Sequence, residues 1–169
     1  MARTGMSDVI SIGDPAMAHN FDLYFPTIPG ATDTRDLTFK CQGTSIPGFT
    51  TETATVDLHG VKVPYMGAAG FSQSITVTFV ESISWSVRNK LRAWRDSARN
   101  WITNTGSLAN QYCVDLQLVL WDDVPNVVKT VQLYRSFILT LEDLSVDGAN
   151  GGTVLVPSAT FAYTYHQDM

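Results

Sequence analysis

The chain has 169 residues and a mass of 18.6 kDa, with 44% hydrophobic and 16% charged residues, which suits a single domain with its own core and excludes disorder. Sixteen acids against eleven bases give a net charge of −5, so the molecule as a whole repels polyanions and a generic nucleic-acid binder is disfavoured. Two cysteines, Cys41 and Cys113, allow at most one bridge, and both read as buried free thiols within strands.

Residues 1–16 contain Asp8, Gly13, Asp14 and Pro15 and no apolar run, so they do not read as a signal peptide, and no segment approaches the ~20 apolar residues needed to span a bilayer. A soluble protein made in a cytoplasm is expected. Nineteen Thr and sixteen Val announce β-structure, and period-2 alternation places it. Phe21, Leu23 and Phe25 alternate with Asp22 and Tyr24, and Leu37, Phe39 and Cys41 alternate with Asp36, Thr38 and Lys40. Both segments read as half-buried strands.

Residues 43–70 have a different texture: Ser45-Ile46-Pro47-Gly48-Phe49, a threonine-rich stretch, His59-Gly60 as a hairpin turn, then Pro64 to Gly70. Strand-like halves, Thr53 to Leu58 and Val61 to Tyr65, flank that turn. So long an arm with few large apolar residues cannot bury itself, and it needs a partner or tolerance of motion.

Ser74 to Glu81 alternates Ile75, Val77 and Phe79 against threonines, and Val114, Leu116, Leu118 and Leu120 alternate against Asp115, Gln117 and Val119. Between them Val87, Leu91, Trp94, Ala98, Trp101 and Ile102 recur every three to four residues, which predicts one amphipathic helix over about 84–103. Ser82 or Ser84 would cap its start, and Asn104 to Gly106 would end it. Val131 and Leu133 group with Phe137, Leu139 and Leu141, and Phe161, Tyr163 and Tyr165 form a last aromatic strand.

Chemical motifs are sparse. His19, His59 and His166 lack ligand spacing, and Asp57 with His59 beside a turn reads as a solvated pair. Ser45 and Ser158 lack a nucleophile-elbow context, Gly148 to Gly152 lacks phosphate-loop spacing, and Asp122-Asp123 and Glu142-Asp143 read as turn acids. No enzyme activity and no cofactor or metal is expected. The strongest polar feature is Arg88, Arg92, Arg95 and Arg99, a second stripe on the helix that leaves net −9 on the rest of the chain. A solvated face, a phosphate ridge and a surface meeting the acidic side of another copy all remain open readings.

In order, Asn20-Phe21-Asp22-Leu23-Tyr24-Phe25, then Phe39 to Gly48, then Val61-Lys62-Val63-Pro64-Tyr65, then Ser74 to Glu81 running into a Trp-bearing helix, then the aromatic strand Ala159 to His166, the chain resembles the tail tube proteins of contractile-tail bacteriophages. These are related to the tube protein of type VI secretion. The resemblance implies a mainly β, antiparallel β-sandwich or small barrel with one flanking helix, forming a single domain over 1–169. It implies hexameric rings of this chain stacked into a hollow tube in the virion tail, assembled in the host cytoplasm. Sheath, baseplate, tape measure and tail terminator would be partners, with DNA passing through without specific binding and no membrane contact.

The resemblance places contacts between subunits and rings on the N-terminal segment 1–19 and the arm 43–70, at Ser45, Ile46, Pro47, Gly48, Phe49, Val61, Val63, Pro64, Tyr65 and Gly67, with Pro47, Gly48, Pro64 and Gly67 at turns. A bore rich in carboxylates would let DNA slide, and Asp57, Asp115 and Glu142 are candidates to line it. The arginine stripe would meet a neighbour or the sheath. A secretion or tailocin tube is the nearest alternative, and a carbohydrate-binding β-sandwich using Trp85, Trp94, Trp101 or Trp121 is one from another class.

Overall fold

The computed structural model describes residues 11, 16–149 and 152–169, so most of the segment 1–19 lies outside the described residues. Among the described residues, nine strands and three helices follow in chain order: β1 Phe21–Tyr24, α1 Arg35–Phe39, β2 Cys41–Thr44, β3 Phe49–Leu58, β4 Val61–Phe71, β5 Ser74–Phe79, α2 Ser86–Ala98, α3 Ala109–Tyr112, β6 Val114–Trp121, β7 Val127–Leu141, β8 Ser158–Ala162 and β9 Tyr165–Asp168. Seven strands form one antiparallel sheet, ordered β1-β6-β7-β8-β5-β2 with β9 also on β7, while β3 and β4 form a separate hairpin. The architecture is mainly β with one long flanking helix, as expected. The sheet curls but does not close into a barrel.

Alternation explains which face is buried. Leu23, Leu116, Leu118, Val131, Leu133, Ile75, Val77, Phe79, Ala159 and Phe161 all point inward, where Val87, Leu91 and Trp94 of α2 cover them. The curl brings Phe25, beyond edge strand β1, within 6.0 Å of Phe79 and 5.8 Å of Phe161 across the core. The opposite face carries Tyr24, Gln117, Thr130, Gln132, Thr160 and Thr76, paired across neighbouring strands. Its acids are few, with Asp22 and Asp115 among them.

Three departures from the period-2 reading have local causes. Residues 35–39 form a helical turn, not a strand: the Asp33 carboxylate accepts from Arg35 N at 3.2 Å, and Leu37 is buried while Phe39 is 78% exposed. Arg135 adopts φ +52 with its N–H donated to Asp115 Oδ1 at 2.8 Å, making a bulge opposite β6. The extra residue flips the parity of β7. Ser136 and Ile138 are therefore buried, whereas Leu139, expected inward, is 58% exposed. Opposite the same bulge the expected aromatic strand splits into β8 and β9, and Thr164 N reaches Tyr134 O.

Helix α2 begins as expected but ends at Ala98. The Asn100 carboxamide accepts from the N–H groups of Ile102 and Thr103, and Ser107 N returns to Ala98 O, so the chain folds back on itself. Trp101 and Ile102 leave the apolar stripe and are 61% and 75% exposed, and Arg99 is extended. Neither Ser82 nor Ser84 caps the start. The buried Glu81 carboxylate does, accepting from Val87 N at 3.2 Å and Arg88 N at 2.8 Å. Both cysteines are free, with Cys41 in β2 and Cys113 just ahead of β6. Burial, against a lowering backbone hydrogen bond at Gly43, pushes the Cys41 thiol up to about 12.

Helix α1 is tied to α2 through Lys90, whose ammonium donates to Asp33 O and to the Asp36 carboxylate. Burial alone raises the Asp36 carboxyl, but hydrogen bonds from Lys90 and Ser86 and the charges of Lys90 and Lys40 outweigh it and hold the group below its ordinary value. A carboxyl lowered in the fold contributes stability above its unfolded value, lost as pH falls through the lowered native one. Asp36→Asn should therefore cost about 1 kcal/mol at neutral pH. Urea melts should show this gap closing as pH falls through the lowered native value, where the wild-type carboxylate is also protonated.

Candidate functional site

The predicted contact residues fall mostly on one element. Ser45 to Gly48 form the connector from β2, and Phe49 opens a hairpin with a two-residue loop, His59 at φ +54 and Gly60 at φ +81. Two positive φ angles make the mirror-image turn whose twist suits paired strands, and Asp57 Oδ1 accepts the Gly60 N–H at 3.0 Å. All ten residues of β3 are exposed. Pro64 and Gly67 do not make the expected turns, because β4 runs through both. Pro64 pairs with Thr55, and Gly67 sits at a bulge where a Cβ would lie 2.9 Å from Glu52 O.

Register reveals what the hairpin presents. Ala54 pairs with Tyr65, Val56 with Val63 and Leu58 with Val61, so all six share one face, while Thr53, Thr55, Asp57, Lys62, Pro64 and Met66 share the other. Among the described residues no layer lies beneath this apolar face of the two-stranded ribbon. At its base Phe49 stacks 4.7 Å from His166, and Phe71 lies 5.3 Å from that imidazole and 6.3 Å from Tyr163. Tyr163 donates its hydroxyl to Ser72 O, which anchors the arm root to the sheet.

The arginines sit elsewhere. Arg88, Arg92 and Arg95 lie on α2 beside Trp101 and the end of β7, and Arg99 follows past the helix end. Arg88 donates to Glu142 O at 3.0 Å, while one acid, Asp96, is shared by Arg92 at 3.7 Å and Arg95 at 3.5 Å. The candidate bore acids are scattered over three places. Asp57 is at the arm tip opposite Lys62, Asp115 is on the polar sheet face holding the bulge, and Glu142 is beside the arginines. Among the described residues no three His, Cys, Asp or Glu side chains are placed to hold a metal, and no helix is long and apolar enough to cross a membrane.

Sequence reading missed Glu81 and the aromatic root. An acid standing just before a helix was a usable signal for the first, but Phe49, Phe71, Tyr163 and His166 meet only through tertiary packing.

No family model and no curated protein matches the chain. Solved structures do. A chain of the sheath-tube complex of an extracellular contractile injection system, PVC, in extended state has a TM-score of 0.63 at 16% identity, covering 99% of each chain. A chain of the tube-terminating cap of the anti-feeding prophage has a TM-score of 0.67 at 13% identity, covering 97% of each. A type six secretion system protein has a TM-score of 0.52 at 15% identity, covering 89% of this chain and 83% of that one. At such identities the likeness is one of fold: this chain shares the fold of these injection-system and secretion-system proteins.

Proposed function

We propose that the chain is the tube subunit of a contractile tail, with copies closing into hexameric rings that stack into a hollow conduit. The observation that carries this reading is the β3–β4 hairpin: its apolar face, Ala54, Val56, Leu58, Val61, Val63 and Tyr65, is built to be covered and stays uncovered among the described residues. Among the described residues, edge strands β1 and β2 each leave one side unpaired, which a neighbouring copy would complete. Ser45 to Phe49 and the hairpin supply contacts between copies, and sheath, baseplate and terminator are the further partners of such a tube.

The polar face of the sheet suits a bore. Gln117, Thr130, Gln132, Thr160 and Thr76 are uncharged, and Asp22 and Asp115 add negative charge, so DNA phosphates gain nothing by adsorbing and slide past. Asp57 and Glu142 lie off this face. A second reading, an injection or secretion tube with other cargo, is favoured by the folds of the solved structures, which include injection-system and secretion proteins.

Negative-stain microscopy of the concentrated, purified chain tests the tube reading: hollow rods or six-fold rings are expected. A compact monomer at millimolar concentration that is also absent from the tube of the native particle overturns it.

A further inference from the structure

We propose that the two ends of β7 carry the complementary halves of a head-to-tail contact between copies: the acidic β6–β7 turn of one subunit seats in the arginine groove beside α2 of the next. This rests on the tube reading and specifies one of its contacts.

The groove is basic with an apolar floor. Arg88, Arg92 and Arg95 line it together with Trp101, Leu139 and Leu141. Asp96 is the carboxylate that meets these guanidinium groups, and it serves two of them at more than 3.4 Å, so positive charge is left over. Trp101 and Leu139 are exposed there because Asn100 ends the helix early and the Arg135 bulge turns Leu139 outward. Two local irregularities thus converge on one apolar patch ringed by cations.

The turn has the opposite character. Asp122 and Asp123 form no ion pair among the described residues, and the nearby Asp22 carboxylate, held by the Trp121 indole at 2.8 Å, adds a third negative charge. Lys129, the cation close in sequence, is engaged by Asp168 at 2.7 Å. Val124, Val127 and Val128 are exposed around the acids. An acidic tip with apolar shoulders matches a basic groove with an apolar floor in both respects, whereas a phosphate polymer would match only the charge.

Position decides who can bind whom. Val127 and Leu139 stand about 40 Å apart along β7, so a chain cannot insert its own turn into its own groove. A contact between different surfaces of identical subunits repeats indefinitely or closes into a ring, which is the symmetry a tube requires.

The test is a charge swap in the full chain. Asp122→Lys with Asp123→Lys, and separately Arg92→Glu with Arg95→Glu, should each reduce sedimentable assembly about tenfold or more with the thermal midpoint held, and all four together should restore it. A second measurement oxidises a mixture of Val124→Cys and Leu139→Cys chains against a wild-type control. A disulfide-linked dimer unique to the mixture is expected, and it supports the contact even where rods are absent. Rods that form normally in both charge variants, or that fail only in the arginine variant and are not rescued, overturn the contact while leaving the tube reading intact. Absence of rods, rings and cross-links alike overturns the contact, and the tube reading falls with it when the chain is also absent from the tube of the native particle.

Discussion

Replacing Trp94 by Ala should lower stability by about 4 kcal/mol, enough to remove a large part of what a domain of this size possesses. Trp94 is fully buried, stacks 5.6 Å from Phe161 of β8 and donates its indole N–H to Tyr112 O at 2.7 Å. One side chain therefore joins α2 to the sheet and to α3. Truncation leaves a cavity under the helix and strands a carbonyl that had been paired. Trp94→Phe keeps most apolar contact and loses the hydrogen bond, so it should cost roughly half as much. Urea unfolding followed by far-UV circular dichroism gives both values. A loss under about 1 kcal/mol in the alanine variant would mean that α2 is not held by this packing.

Trp94 was also among the residues best legible in sequence. Its spacing from Val87 and Leu91 follows the helical period, just as Ile75, Val77 and Phe79 or Leu116 and Leu118 follow the strand period, and in each case neighbouring residues carry the whole signal. His59-Gly60 was legible for the same reason, since a two-residue turn needs positive φ at both positions and these residues accept it. What failed to show depended either on partners far away in the chain or on local side-chain caps that override the apolar period. The bulge at Arg135 is stabilised by Asp115, twenty residues earlier, and it reversed the facing of Leu139. Asn100 ended α2 with its own side chain, a cap that outweighed the continuing apolar period at Trp101 and Ile102. Leu37 and Phe39 fit a strand pattern too short to exclude a helical turn. The candidate contact surfaces lay in between. Alternation in Val56, Leu58, Val61 and Val63 showed an arm of two strands, but the pairing register was needed to put six apolar residues on one face. Of the arginine stripe, Arg88, Arg92 and Arg95 lie on α2 while Arg99 falls past its end, and the groove beside them required Trp101 and Leu139 to be out of their expected places.

Two aspartates on that hairpin face, Val56→Asp and Val61→Asp, should abolish assembly while leaving the monomer's thermal midpoint within about 2 °C of wild type. The two effects separate because the hairpin lies outside the core. Val56 and Val61 are already solvent-exposed in the isolated chain, so no buried group is disturbed there, and the turn set by His59, Gly60 and Asp57 is untouched. In an assembled tube the same positions would be covered. Burying a valine contributes about 1.5 kcal/mol or more, and burying an unpaired carboxylate instead opposes association by several kcal/mol. The summed change exceeds about 4 kcal/mol at each contact, or about a thousandfold in affinity, and it recurs in every subunit. Sedimentation of the purified variant beside wild type reads this directly, with rods expected in the wild-type pellet and monomer alone in the variant supernatant. Matching substitutions on the opposite face, Thr53→Asp and Thr55→Asp, change the charge equally but leave the apolar strip whole, and they should assemble. If both pairs block rods alike, charge on the arm is what assembly rejects, and the apolar face is not the contact.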